Sequence, residues 1–401
     1  MENNITINNR IPQLRFPGYT GDWEEKSLGE VGVFVRGLSY NKGEVTQDRA
    51  ATLVLRSNNI IQDGVVDCRN GLQFVTKEPS SEQILQKGDI VICLSNGSSN
   101  LVGKSANYEG DYAGIATVGA FCGIYRSTAP ITKYLVQTPE YKKSVELIKQ
   151  GGNGALANLY GRDILGLKFY FPTLEEQNEI VECLEAEDRM ITAQEQKVES
   201  LKVHKIGLMQ QLFPQPGATT PALRFPGFTG DWQEKSFDGI CHTITPPLKL
   251  QSSQYSSSGK FPIVDQSQTL ICGWTNDSSG LLRNAPYIIF GDHTCVLKYI
   301  DFPFIQGADG VKILGSNKKD NSKFIYQLLL SNPVKQDGYK RHFSDLKEKI
   351  FLLPPSLEEQ TKIAECLSSI DEIISIEESK VASLKSYKKG LMQQLFPQPE
   401  K

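Results

Sequence analysis

The 401-residue chain carries 43 Lys and Arg against 46 Asp and Glu, a net charge of −3, with 39% hydrophobic and 22% charged residues. That length exceeds one ordinary domain and suits two, each with its own core, and the composition is that of a globular protein. No apolar run approaches the roughly 18 residues of a membrane span, and the opening MENNITINNR lacks the apolar segment of a secretory leader, so the cytoplasm is the expected location. The acids are unevenly placed. Residues 173–213 hold nine acids and four bases and residues 356–396 seven and five, which leaves a surplus of four positive charges elsewhere and permits a nucleic-acid partner without demanding one.

In chain order, residues 14–27 (LRFPGYTGDWEEKS) open the first half, with Phe16 and Trp23 as expected apolar anchors. Strand-like runs follow at 52–60 (TLVLRSNNI), 88–97 (GDIVICLSNG) and 119–127 (GAFCGIYRS), with a helix at 141–150. Pro172 and Thr173 signal the start of a long helix, Glu175 and Glu176 suit the positive end of its dipole, and Pro214 stops it. Residues 223–236 (LRFPGFTGDWQEKS) then repeat the opening block, with Phe225 and Trp232 in the anchor places. New strand-like runs appear at 261–266, 285–300 and 310–316, with a helix near 323–332. Residues 355–399 finally repeat the pattern of residues 172–216, both copies ending in LMQQLFPQP. The chain thus holds two matched frames around two dissimilar inserts, 28–171 and 237–354, each of mixed α/β character.

Each repeated helix of about 40 residues would be roughly 60 Å long. Apolar residues recur at heptad spacing: Leu184, Ile191 and Val198 in one row and Leu201 and Leu208 in the other, answered by Leu367, Ile374 and Val381 beside Leu384 and Leu391. Lys205 and Lys388 interrupt both seams at the same place, and Glu187, Gln194 and Glu377 are polar seam positions that suit contacts with partner proteins. Connectivity favours an antiparallel pair with a pseudo-two-fold axis across its middle and the chain termini close together. The expected layout is a first α/β domain at 1–171, helix 172–213, linker 214–222, a second α/β domain at 223–354, helix 355–396 and a tail at 397–401.

Enzyme signatures fail on spacing. GSSNLVGKS (97–105) has five residues between its glycines where a phosphate loop needs four. Asp292, His293 and Thr294 are adjacent in sequence, whereas an acid–base–nucleophile set must converge in space. Residues 332–335 (NPVK) lack the second proline and aromatic residue of an amino-methyltransferase motif. Four histidines show no metal-ligand spacing, and eight cysteines without a C-x-x-C pair read as small buried apolar side chains. The polar turns LSNGSSN (94–100) and FGDHT (290–294) are the expected places for function, although Asn96-Gly97 and Gly291-Asp292 equally fit plain hairpin turns.

The duplicated LRFPGF.GDW start, the two variable inserts and the two P.LEEQ helices ending in GLMQQLFP resemble the DNA-specificity subunit of bacterial type I restriction–modification systems over essentially the whole chain. The resemblance implies two target-recognition domains, each reading half of an asymmetric bipartite sequence in double-stranded DNA, joined by a helix pair that sets the spacer. It also implies two methyltransferase subunits and restriction subunits as partners, with no membrane. S-adenosylmethionine, ATP and magnesium belong to those partners, and no cofactor, metal or catalytic residue to this chain. By the chemistry of base edges, the candidate DNA contacts are Arg36, Arg56, Asn58, Asn59, Asn96, Ser98, Ser99 and Lys104 in the first insert and His293, Thr294, Lys298, Lys340, Arg341 and His342 in the second. Each also reads as a turn residue or solvated charge, and the 339–343 cluster (YKRHF) favours phosphate over base contact. Two rival readings remain: a duplicated protein-interaction scaffold whose inserts bind something other than DNA, and a nucleotide-using enzyme at Lys104.

Overall fold

The computed structural model describes residues 11–61, 64–150, 158–308, 310–338 and 340–397. The chain divides into two compact units, one of residues 1–193 with 381–401 and one of residues 194–380.

In chain order the first unit carries β1 (Glu24–Ser27), β2 (Gly32–Arg36), β3 (Val45–Thr46), β4 (Thr52–Leu55), β5 (Gln73–Val75), β6 (Ile90–Cys93), β7 (Ser105–Asn107), β8 (Ala116–Val118) and β9 (Cys122–Ser127). Helices α1 (Thr132–Leu135), α2 (Pro139–Gln150) and α3 (Gly161–Leu165), strand β10 (Lys168–Phe171) and the long α4 (Leu174–Leu212) follow. Two four-stranded sheets have the orders β2-β9-β6-β7 and β3-β5-β4-β8, and β1 pairs with β10. β4 and β8 run parallel, Leu53 opposite Ala116 and Leu55 opposite Val118. Strands β4 and β6 are buried along their whole length, which explains why both read as continuous apolar runs.

The second unit repeats the plan with β11 (Gln233–Ser236), α5 (Phe237–Ile240), β12 (Cys241–Ile244), β13 (Phe261–Val264), β14 (Gly273–Thr275), β15 (Leu281–Leu282), β16 (Tyr287–Gly291), β17 (Leu297–Ile300), β18 (Phe304–Gln306) and β19 (Val311–Ser316). It ends in α6 (Ser322–Ser331), α7 (Phe343–Lys347), β20 (Ile350–Leu353) and α8 (Leu357–Leu395). Its sheets are β12-β19-β16-β17 and β14-β13-β18-β15, with β11 against β20 and β13 parallel to β18. The run 285–300 is therefore a hairpin of two strands, turning at residues 292–296.

The repeated blocks make the same contacts in each unit. Arg15 grips the buried Glu176 through two bonds of 2.7 and 2.8 Å, and Arg224 grips Glu359 at 2.7 and 2.9 Å. Leu14 N–H donates to the Gln394 carbonyl at 2.8 Å and Leu223 N–H to that of Gln211 at 2.9 Å. The start of each unit is thus fixed to the end of a long helix, and in the first unit the two ends of the described chain meet; Pro399 lies outside the described residues. Trp23 and Trp232 are each 3% exposed, with Phe16 and Phe225 packed against their clusters. Leu395 and Phe396 enter the first core as Leu212 and Phe213 enter the second, so the Leu-Phe pair of LMQQLFPQP is a core plug in each unit.

Both long helices have 39 residues. Thr173 and Ser356 supply their starts, each hydroxyl accepting the amide of Glu176 or Glu359 at 3.4 or 3.3 Å. Within each unit a stretch of α4 packs antiparallel to a stretch of α8. In the first, Lys388 bonds Asp188, whose other oxygen accepts the Tyr134 hydroxyl at 2.8 Å. In the second, Lys205 bonds Asp371 at 2.7 and 2.8 Å, and Gln327 donates to that carboxylate at 2.9 Å. Lys205 and Lys388 therefore interrupt the seam because each closes an ion pair across it.

Of the seam residues, Leu184, Ile191, Val198, Leu367 and Ile374 are buried, while Leu201, Leu208, Val381, Leu384 and Leu391 are half-buried. At Gln194 and Glu377, two of the three polar seam positions, the expectation of partner-protein contacts is corrected: Gln194 Nε2 donates to the Glu377 carboxylate, which Lys197 and Lys380 also reach at 3.0 Å. Their polarity is satisfied within the pair. The cysteine reading is corrected in part: Cys93, Cys122 and Cys241 are buried, and the other five are only half-buried.

Candidate nucleic-acid interface

In the first unit, the parallel pair β4–β8 and the antiparallel pair β6–β9 end side by side, and the loops leaving them enclose an open groove of about 660 Å³. Its lining includes Leu38, Tyr40, Arg56, Asn58, Asn96 and Phe121. The walls are held by backbone bonds. Gly119 N–H donates to the Leu55 carbonyl and Leu94 N–H to that of Phe121, both at 2.8 Å. Gly37 lets the end of β2 pass close by, since a Cβ there would lie 2.2 Å from the Gly119 carbonyl oxygen. The Asn96 amide donates to the Ser57 hydroxyl at 2.7 Å and ties the loop after β6 to the loop after β4.

Three candidates, Arg56, Asn58 and Asn96, converge on this groove. Arg56 spends one nitrogen on the Gly71 carbonyl at 3.1 Å, while its buried Nε finds no acceptor. Asn58 is exposed, as are Arg36, Ser98 and Ser99 outside the lining. Asn59 is not available: it is 1% exposed, its amide donates to the Asp67 and Asn70 carbonyls at 3.1 and 3.0 Å, and its oxygen accepts the Arg56 amide. Lys104 is half-buried and does not line the groove. The amides of Leu101, Val102, Gly103 and Lys104 all donate to nearby carbonyls, which removes the outward nest that phosphate binding needs.

The same framework places the second unit's residues. Gly307 N–H donates to the Val264 carbonyl at 2.8 Å and Asp292 N–H to that of Gly310 at 2.6 Å, so Asp265 stands where the first unit has Arg56, and Gly310 where it has Phe121. His293 and Thr294 take the places of Ser95 and Asn96, and the latch recurs as the Thr294 hydroxyl donating to the Gln266 carbonyl at 2.8 Å. His293 is half-buried, with Nδ1 3.1 Å from the Lys340 carbonyl oxygen.

Lys340 and Arg341 are exposed, the former 3.6 Å from Asp345; Tyr339 of the same cluster lies outside the described residues. His342 is fully buried, with Nδ1 3.1 Å from Asp345, which rules it out as a DNA contact. Lys298 is 5% exposed and donates to the Asp265 and Thr269 carbonyls at 2.8 and 2.6 Å, so it pins a turn, and burial pulls its pKa below the ordinary lysine value. Asp292, His293 and Thr294 bond three different neighbours and form no acid–base–nucleophile set.

Two groove residues, Tyr40 and Phe121, escape the sequence reading. Phe121 sits at the head of a strand-like apolar run, and the Gly119-Ala120 pair before it is the sole sign of a turn. Among the described residues no group of three His, Cys, Asp or Glu side chains is placed to hold a metal ion, and no helix is long and apolar enough to cross a membrane.

Residues 20–203 and 229–386 both match the model of the type I restriction modification DNA specificity domain. The StySPI type I restriction enzyme specificity subunit of Salmonella potsdam is 30% identical over 171 residues, 41% of this chain. That stretch spans only 35% of the relative's length. A putative type I restriction enzyme specificity subunit of Methanocaldococcus jannaschii, MjaX, is 24% identical over 94% of this chain and 93% of its own. Among solved structures, the S subunit of a type I restriction–modification system from M. genitalium shares the fold, with a TM-score of 0.60 at 15% identity over 97% of this chain and 100% of that one. Two family-domain matches, which together cover most of the chain, place it: it belongs to the type I restriction–modification DNA specificity family.

Proposed function

We propose that this chain recognises an asymmetric, bipartite sequence in double-stranded DNA, one half through each α/β domain, and assembles methyltransferase and restriction subunits on it. The observation that carries the reading is the contrast between frame and loops. The Arg15–Glu176 and Arg224–Glu359 pairs repeat almost atom for atom, whereas the loop positions holding Arg56 and Phe121 in one unit hold Asp265 and Gly310 in the other. Equivalent scaffolds with different loop chemistry suit two different half-sites, since base edges are told apart by donor and acceptor pattern.

In this reading Arg56, Asn58 and Asn96 contact base edges, while Arg36, Lys340 and Arg341 contact phosphates. The two long helices form an antiparallel coiled coil with a pseudo-two-fold axis; each is about 58 Å long at 1.5 Å per residue, and together they set the unread spacer. The chain itself does no chemistry: two methyltransferase subunits carry S-adenosylmethionine, and the restriction subunits carry ATP and magnesium.

The test is to express the chain with its cognate methyltransferase and map N6-methyladenine across the host genome. A split, non-palindromic motif is expected, and methylation with no split motif would overturn the reading.

A further inference from the structure

Phe121 is 71% exposed, yet the backbone beneath it is fixed: its carbonyl accepts the amides of Leu94 at 2.8 Å and Ser95 at 3.1 Å, and Cys122 N–H closes the turn onto the Gly119 carbonyl at 2.8 Å. A large apolar ring is thus held in water, on a rigid three-residue turn, beside the polar side chains of Arg56, Asn58 and Asn96. Among the described residues it is the most exposed of the large hydrophobic side chains, and covering it with an apolar partner group would be favourable. We infer that Phe121 is a specificity-determining residue that packs against the 5-methyl group of a thymine in the half-site read by the first domain, an inference that rests on the DNA-reading function proposed above.

The chemistry singles out that group. Hydrogen-bonding side chains align a base edge in the groove, and the thymine methyl is the one apolar feature a base edge offers there. The turn is short and pinned to the groove wall through its backbone, which suits contact with a base edge better than insertion between stacked bases. The second unit has Gly310, with a φ of 87°, at the matching position, so the contact belongs to the first half-site alone.

The experiment uses the full chain co-expressed with its methyltransferase and a duplex carrying the motif found by methylation mapping. Each thymine is replaced in turn by deoxyuracil, which removes only the methyl. At one position this should weaken wild-type binding about fourfold, the worth of one buried methyl. Phe121→Ala should weaken binding to the thymine duplex by at least that factor and no longer distinguish the two bases there, while Phe121→Leu keeps the distinction. Both variants should melt with the wild type, because the ring is outside the core.

The inference is overturned if Phe121→Ala discriminates as the wild type does, if no thymine methyl affects binding, or if a 2-aminopurine probe brightens on binding in a manner that depends on Phe121, which would make the ring a wedge. A wild-type complex that binds no motif duplex at all would instead overturn the DNA reading itself.

Discussion

The Glu377 carboxylate is 7% exposed and takes bonds from Gln194, Lys380 and Lys197, which hold its pKa down at about 2 against an ordinary 4.5. A depressed carboxylate contributes stability that is complete above its unfolded value and disappears as pH falls through the folded one. The melting temperature of the wild-type chain should therefore fall faster than that of Glu377→Gln as pH drops from about 5 to about 2; parallel curves would contradict the assignment. The same residue marks a limit of sequence reading: its seam position was legible from the heptad, but its partner was not, because Gln194 lies 183 residues away. Asn58 and Asn59 are likewise indistinguishable in the sequence, and the 3-10 turn at Ser57–Asn59 sends one outward and buries the other against Asp67 and Asn70. Lys298 and His342 carry groove-reading chemistry, and only the packing around them reveals that they serve the fold.

Among the elements, the long helices were legible nearly to the residue, since a proline-threonine or proline-serine start, a heptad and a terminal proline act locally. The lysines that break the heptad are explained only by the antiparallel register, which sets Lys205 against Asp371 and Lys388 against Asp188. Lys205→Glu should lower the melting temperature through repulsion with Asp371, and adding Asp371→Lys should recover part of the loss. The pair is partly solvated, with Asp371 41% exposed, so the single change costs about 1 kcal/mol and thermal denaturation at low salt resolves it best. Equal melting of the single and double variants would show that the pair contributes nothing. The inserts were legible as strands wherever both faces are buried, as in β4 and β6. The turn bearing Phe121 was not, because an apolar residue in a continuous apolar run gives no sign that it points to water.

For the whole molecule, duplication was the strongest sequence signal, and it survives as matched contacts in two units that share the order of one four-stranded sheet, β2-β9-β6-β7 and β12-β19-β16-β17, and differ in the edge strands of the other. The target-reading function and the spacing role of the helices rest on the proposal above. Removing one heptad from both long helices shortens each by about 10 Å, or about three base pairs of DNA. The spacer of the methylated motif should shorten or assembly fail, and an unchanged spacer would remove the spacing role. The central claim is that each domain reads its own half-site. Replacing residues 28–171 with the corresponding insert of another family member, followed by methylation mapping in the presence of the cognate methyltransferase, tests it most directly. The account predicts a motif in which one half changes while the other half and the spacer stay fixed, and a change in both halves would contradict it.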